Sequence, residues 1–571
     1  NVELTRCAAV GAATSGVYNI LSTNTIWRNG VLWSNAIGVL LVNVSAVPTP
    51  PANYVIFSNS VVGAFGTSAV AYTINGGVLL ADYNDLHLAG GARMARSARV
   101  PFEVLSEGVA RWRTWSTQDL NSVTGDPALC DPGAMDFHPL SRGGRYSPPV
   151  KDFVTTDTVT SILIDVGPTN TADLANESSP NGARVNIGMY GGTVEASRTP
   201  TNAFVGVISL NDGGVASGTN FPLRWIARGN ATGHLVRLDF SWNYGTNWQT
   251  IVTNWPARTG TYTWNTTGFT STLFGLWMVS DEAELGLASM SAQPFALRNT
   301  NFIFYVNDTG TAGDVYCSAA GAEGQSGRST NAPMLSIQRV LDAYDLEGGD
   351  ILYVDTGVYT GEDARATVTQ LDTAPPGGDT LLYLRGSTNA VAGGSVLDGA
   401  AGVVGLNIQE AYGVDARDFT VQNVVSSAVR VAQSGLVTLY KVQVRDAVIG
   451  FDLQRSLDSL LSQCASIGSD TGLRNLSATN TVLQNGVLWS NRLAVSLGTY
   501  AGAAMRNGVV VSNSVLGLFG FQRFAYEGET ASLLADYNNL YLQGGAYAAR
   551  RPGLTFSETI DTLSRWVAQA G

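Results

Sequence analysis

The sequence predicts an all-β chain in which parallel β-solenoid segments flank an antiparallel β-sandwich. Three observations carry this. The heptapeptide "NGVLWSN" stands at 29–35 and again at 485–491. Short apolar strands echo each other every 22 to 24 residues, as "NYVIFSN" (53–59) follows the first copy and "NGVVVSN" (507–513) the second. Residues 201–300 carry a different pattern, with short alternating runs separated by Gly and Asn turns.

The long repeat comes first in the argument, because it sets the architecture. "NTIWRNGVLWSN" (24–35) matches "NTVLQNGVLWSN" (480–491) at nine of twelve positions, offset by 456. "LLADYNDLHLAGGA" (79–92) matches "LLADYNNLYLQGGA" (533–546), offset by 454. Phe102, Arg111 and Trp112 correspond to Phe556, Arg565 and Trp566. Residues 1–117 and 458–571 are therefore two copies of one segment. A chain that starts and stops inside the same module reads as one period, about 455 residues, of a tandem array.

The short repeat is nested in the long one. Asn485 to Asn507 is 22 residues and Asn29 to Asn53 is 24, the length of one three-stranded solenoid coil. The alternation predicts Val487, Trp489, Val509 and Val511 facing inward. It also predicts Asn491 stacked near Asn513, where Asn tolerates the left-handed turn. The same rhythm runs through 403–470. Pro333 marks a helix start, and Met334, Ile337, Leu341 and Tyr344 fall on one helical face. That helix is expected to cap the open end of a stack. "SILIDVGPTN" through "PNGARVNIGMYGGTVEAS" (161–197) is expected to close the other end. Between them, Trp225, Leu238, Phe240, Trp264 and Leu276 are the expected sandwich core. The domains are accordingly 1–200, the C-terminal half of one solenoid; 201–300, the sandwich; and 301–571, the capping helix and N-terminal part of the next solenoid.

Composition agrees and narrows the function. The 571 residues include 64 Gly and only 14% charged residues, against about 25% in average proteins. A net charge of −12, with Lys only at Lys151 and Lys441, argues against nucleic acid and anionic membrane partners. There is no run of 18 apolar residues and so no membrane-spanning helix in this segment. The start, "NVELTRCAAV", lacks Met and a signal layout and reads as processed or as a window on a longer chain. Cys7, Cys130, Cys317 and Cys464 show no metal spacing. Cys7 and Cys464 occupy one repeated position and read as small buried apolar groups.

The candidate chemistry is sparse. "ADYND" (81–85) and its copy "ADYNN" (535–539) keep Asp82 as Asp536 but turn Asp85 into Asn539. "DPALCDPGAMDF" offers Asp126, Asp131 and Asp136. The functional alternative is a carboxylate groove or a Ca²⁺ site for the first cluster and a Ca²⁺ ligand set for the second, and the turn reading is preferred for both. No D-x-D-x-D-G loop occurs. The histidines are His87, His138 and His234; His87 becomes Tyr541 in the copy. Trp27, Trp33, Trp242, Trp248 and Trp255 could form a glycan-stacking strip, although core packing is favoured for Trp33. Sequons stand at Asn43, Asn176, Asn230, Asn265, Asn307 and Asn475.

"YVNDTGTAGDVYCSAAG…GQSGRSTNAPMLSIQRVLDAYDLEGGDILYVDTGVY" resembles the N-terminal segment of right-handed parallel β-helix proteins of the pectate-lyase-like superfamily. "GDPALCDPGAMDFHP", "SILIDVG" and "PNGARVNIGMYGGTVEAS" are similar to closing segments of β-helix domains in large bacterial surface proteins. "LNDGGVASGTNFPLRWIARG…VRLDFSWNYGTNWQTI…TGTYTWN" is similar to their immunoglobulin-like modules. The resemblance implies right-handed parallel β-helix segments flanking an immunoglobulin-like sandwich, in an extracellular, cell-surface setting. The superfamily's Ca²⁺-binding aspartates with an Arg or Lys base, and its paired aspartates with Gly-His-Gly, have no counterpart here. The expectation is a structural tandem-repeat protein forming a fibre, filament or stalk, not an enzyme, with no catalytic, cofactor or metal residue and no cofactor. Its expected partners are itself or adjacent repeats, head to tail, and surface glycans. A polysaccharide lyase or hydrolase and a glycan-binding adhesin are the alternatives.

Overall fold

The computed structural model describes residues 2–20, 22, 24–42, 54–99, 102–106, 108–169, 171–182, 184–373, 380–399, 404–499, 508–528, 532–551, 558–560 and 564. The expectations on Asn43, Asn53, Asn507, Phe556, Arg565 and Trp566 lie outside the described residues. Compactness divides the chain into two units: Asn1–Arg99 with Val104–Thr300, and Asn301–Gly571 with Val100–Glu103.

In the first unit, strands on three faces stack in parallel, one above the other. Val2–Thr5, Thr25–Arg28, Tyr54–Ser58 and Val78–Asp82 form the first face. Ala8–Val10, Val31–Trp33, Val61–Phe65, Asp85–Ala89 and Val123–Thr124 form the second. Val17–Ile20, Ile37–Val42, Val70–Asn75 and Arg93–Arg99 belong to the third. The short strands are apolar on their inner face, so Trp27, Leu32, Leu41, Phe57, Val62, Tyr72 and Leu86 meet in one core. Helix Val109–Ser116 sets Val109 and Trp112 onto that core. Its exit bonds to the first face, where Asp119 N donates to Ala81 O at 2.7 Å.

The second unit repeats the design. Its first face runs as a parallel ladder from Ile303–Val306 to Ser532–Asp536. The helix there spans Ile337–Ala343, three residues later than Met334, which instead bridges to Val306. Ser336 caps it, accepting from Arg339 N at 3.4 Å, and Ile337, Val340 and Leu341 are its buried residues.

The echo of "NGVLWSN" does not mark coil on coil. Trp27 pairs with Phe57 and Val31 with Val61, so Asn29 sits over Asn59. Likewise Gln484 pairs with Ser512 and Val487 with Val515, so Asn513 follows Asn485 and not Asn491. "NGVLWSN" contributes to the second face, while "VIFSN" and "VVVSN" end strands of the first. The two look alike because each strand ends in a left-handed residue: Ser34 (φ 56°), Asn59 (φ 50°), Ser490 (φ 58°) and Asn513 (φ 47°). Coil length also varies. Leu457 pairs with Thr479, a coil of 22, but Thr481 pairs with Val509, a coil of 28.

The inward phase needs correcting for one strand. Val509 and Val511 are buried at 1% and 0%, as expected. Leu488, at 0%, is the inward residue of its strand, and Val487 and Trp489 point outward and are half-buried. A strand apolar on both sides announces cover on both sides, and simple alternation misreads it.

Residues 204–297 form two largely antiparallel sheets around a shared core. One joins Phe204–Val207, Phe221–Arg228 and Thr261–Trp264; the other is centred on Leu235–Ser241 and Thr272–Asp281. Trp225, Leu238, Phe240 and Trp264 lie in that core, and Trp277 joins them. Leu276 is buried at 7% but on the opposite side of its strand from Trp277.

Candidate functional site

The segment expected to close the end of the first solenoid does something else. Residues 126–200 have few strands and many turns, and they lie across the outside of the second face. Phe137, Leu163, Val166 and Ile187 pack on Val31, Val61 and Val123 in a second core, distinct from that of the coils. Val31 and Val61 point away from the coil interior, yet both are 0% exposed. Full burial of each contributes about 1.5–3 kcal/mol.

Side-chain hydrogen bonds fix this cover to one corner of successive coils. The Arg6 guanidinium donates to the carbonyls of Gly191 and Gly192, both at 3.3 Å. Asn29 Nδ2 donates to Gly191 O at 2.9 Å, and Asn59 Nδ2 to Asn186 O at 3.2 Å. In return Gly188 N donates to Asn59 O at 3.0 Å. The close approach at Gly191 requires glycine: a Cβ there would stand 2.0 Å from Asn186 O. Glu177, itself buried, holds the strap that residues 186–192 form, accepting from Asn186 N at 2.9 Å and Gly192 N at 2.8 Å. Burial pushes its carboxyl up to about 7, with those two bonds opposing.

The sandwich residue Arg228 is part of the same construction. Only 3% exposed, it donates to Ile162 O and Ile164 O and lies 3.9 Å from Asp165. Burial lowers its pKa to about 10 against the pull of Asp165, whose own carboxyl burial raises.

An aromatic group stands beside the cover. Trp33 stacks on His87 at 5.9 Å between ring centres and meets Phe65 edge-on at 5.0 Å. Gly63 makes room for the indole, since a Cβ there would lie 2.4 Å from Trp33 Cε3. His87 Nδ1 is 2.6 Å from Gly125 O. The second copy keeps the arrangement with Tyr541 in place of His87: Trp489 with Tyr541 at 5.9 Å, with Phe519 at 5.0 Å, and Gly517 beneath it.

Asp126, Asp131, Asp136 and Asp536 are held in local structure, whereas Asp82, expected in a turn, is held by a residue 39 positions away. Asp126 accepts from Ala128 N, Asp131 from Ala134 N, and Asp136 from His138 N. Asp82 accepts from Asn121, both backbone and side chain, and Asp536 from Tyr537 N. Asp85 differs: it is 0% exposed, and neither carboxylate oxygen has a hydrogen-bond partner. Asp119 escaped the sequence reading. It accepts from Asn84 Nδ2, Trp112 Nε1 and Ser122 Oγ, all buried.

The nearest approach to a catalytic grouping is Cys130, Asp136 and His138. His138 Nδ1 is 2.6 Å from Asp136 Oδ1, and the ring stacks on Tyr190 at 3.5 Å. Burial lowers the His138 pKa, with Asp136 opposing. Burial, with Asp136 adding to it, pushes the Cys130 thiol up to about 11, which keeps it protonated and a poor nucleophile at neutral pH. His234 pairs with Asp281 at 2.8 Å. All four cysteines are free, and among the described residues no three His, Cys, Asp or Glu side chains gather as a metal site.

The other aromatic candidates do not form one strip. Trp27 is buried in the coil core beside Phe57. Trp242 packs against the sandwich core, and Trp255 donates to Thr261 O at 3.0 Å and meets Tyr262 edge-on. Trp248 is half-buried beside Gly245. Of the sequons, Asn307 and Asn475 are fully buried, while Asn176, Asn230 and Asn265 are exposed.

No family model matches this chain, and no curated protein matches it by sequence. Among solved structures it is similar to an alginate lyase from Paenibacillus sp. str. FPU-7, at 12% identity and a TM-score of 0.22, over 37% of this chain and 94% of the lyase. A likeness that distant says nothing of activity. The parallel stacking of three faces makes this a mostly β protein built on the β-solenoid.

Proposed function

We propose that this is a structural protein of the cell exterior, in which right-handed β-helix modules and immunoglobulin-like sandwiches alternate in a tandem fibre or stalk. The observation that carries the reading is the duplication. Two solenoids in one chain keep the same inward positions apolar, with Trp27, Phe57 and Val62 answered by Leu483, Val511 and Leu516, and keep the same left-handed Asn turns and a matching ring cluster, offset by 454 to 456 residues. Such modules gain their stability from neighbouring coils and extend without limit by repetition. The side chains that would serve an enzyme support the same reading: Asp126, Asp131 and Asp136 are engaged in local hydrogen bonds, Asp82 is held by Asn121, and Cys130 is held as the thiol. A low-charge, acidic surface suits rods that must stay apart.

The test is on the natural product. Its mass on a denaturing gel should far exceed the 60.1 kDa of this chain, and electron micrographs should show a repeating rod. Incubation with polyuronates and neutral polysaccharides should give no cleavage. Turnover lost on Asp82→Asn would establish a carbohydrate-active enzyme instead, and selective binding on a glycan array an adhesin.

A further inference from the structure

The two solenoids carry the same outer face in two different states. In the first, Asn29 (7% exposed), Val31 (0%), Asn59 (4%), Val61 (0%) and Asp85 (0%) lie beneath the cover. Their register partners in the second are Asn485, Val487, Asn513, Val515 and Asn539. There the three asparagines are exposed and the two valines half-exposed. The asparagines that hold the strap in one copy hold each other in the other, with Asn513 Nδ2 donating to Asn485 Oδ1. Beside them the Trp keeps the same spacing to each of its two ring neighbours, 5.0 and 5.9 Å in both copies.

We propose that the outer face at Asn485, Val487, Asn513 and Val515 is a docking site for a second copy of the cover, residues 126–192 of a module of this same design. The first solenoid displays the occupied state and identifies the occupant. Its apolar side chains fill the space above the paired valines, and its Asn186 and Gly191 carbonyls accept from the two asparagines. The open copy offers the same two donors at the same register, on left-handed residues of the same conformation: φ 51° and 50° at Asn29 and Asn59, 54° and 47° at Asn485 and Asn513. Docking exchanges one exposed side-chain bond for two to backbone carbonyls and removes two valines from water, a favourable balance. Where Asp85 is buried in the first copy, Asn539 is uncharged, so the second face takes its cover without burying a carboxylate. Only the source of the segment rests on the tandem-repeat reading; the site itself rests on the two faces.

The test keeps the full chain and appends a second copy of residues 118–200 after Gly571. Hydrogen exchange is followed in peptides covering 485–491 and 513–519, with 29–35 and 59–65 as covered references in the same sample. Docking slows exchange in the first pair by at least about tenfold, the change given by about 1.4 kcal/mol of added stability. Val515→Asp in the extended chain removes that gain, and the same substitution without the extension reports any effect on folding itself. Unchanged exchange in the extended chain overturns the site, as does a gain that survives Val515→Asp. A failed extension leaves the fibre reading standing if the natural product is an array. A natural single-copy protein sinks that reading while the appended segment still docks.

Discussion

Replacing Asp85 with Asn changes how the stability of the first unit depends on pH. Asp85 lies on the outer face between Val61 and Val123, beneath the cover, with both oxygens unpaired. Burial pushes its pKa well above the usual value, and the nearby Asp126 carboxylate adds to the rise. The folded state therefore holds a proton that the unfolded chain releases above about pH 4. In the window between the unfolded and folded pKa values, each pH unit costs the wild type about 1.4 kcal/mol. The stability is full below the window and is lost as pH rises through it. Asp85→Asn removes this slope, as the second copy does naturally with Asn539. Near pH 4 the protonated carboxyl and the amide are both neutral and both unpaired, with penalties of the same order, about 1–3 kcal/mol, so the two proteins are close in stability there and the variant becomes the more stable one as pH rises. The assay is urea unfolding from pH 4 to 7, read by a probe in the first unit, because a chain with two units does not unfold as one step. Parallel stability profiles for wild type and variant across that range refute the reasoning, since they mean the carboxylate is charged and solvated in the fold.

Arg228→Ala removes the guanidinium beside Asp165 and should cost about 3–5 kcal/mol in chemical denaturation, because a buried carboxylate loses its counter-charge; Arg228→Lys should recover only part. Gly517→Ala places a Cβ 2.2 Å from Trp489 Cε3 and should cost about 1–3 kcal/mol, with a shift in tryptophan emission as the indole is displaced. Leu488→Asp and Val509→Asp bury an unpaired charge among the coils and should each cost several kcal/mol, on the order of 2–7. Val487→Asp, one residue away and facing out, should cost far less, and equal losses at Val487 and Leu488 in thermal melts would restore the phase read from simple alternation.

The sequence made the solenoid legible because its physics is periodic. Inward residues recur at each coil, and the sandwich core of Trp225, Leu238, Phe240 and Trp264 follows the two-residue rhythm of a strand. The misreading of "NGVLWSN" has a specific cause. Strands of two different faces end in the same Ser-Asn turn chemistry, so similarity of letters aligned Asn29 with Asn53 when pairing sets it over Asn59. The cover was not legible because it has no period. Phe137, Leu163, Val166 and Ile187 are separated by irregular turns and converge only through the fold. One signal was available: "VLW" and "VVGAF" are apolar at successive positions, and a strand apolar on both faces needs two partners. The Asn in "SN" likewise served the turn and, by its amide, the strap, and nothing in the letters separates these roles.

The strap also bears on how the solenoid carries mechanical load. A stack of parallel coils pulled from one end opens like a zipper, since each ladder resists alone in its turn. Residues 186–192 are tied to Arg6, Asn29 and Asn59, at the same corner of three successive coils. A force that peels one of these coils must therefore strain the ties to its neighbours at the same moment. The resistance becomes parallel where it was serial, and the rupture force rises with the number of coils laced, much as stitching stops a tear from running along a seam.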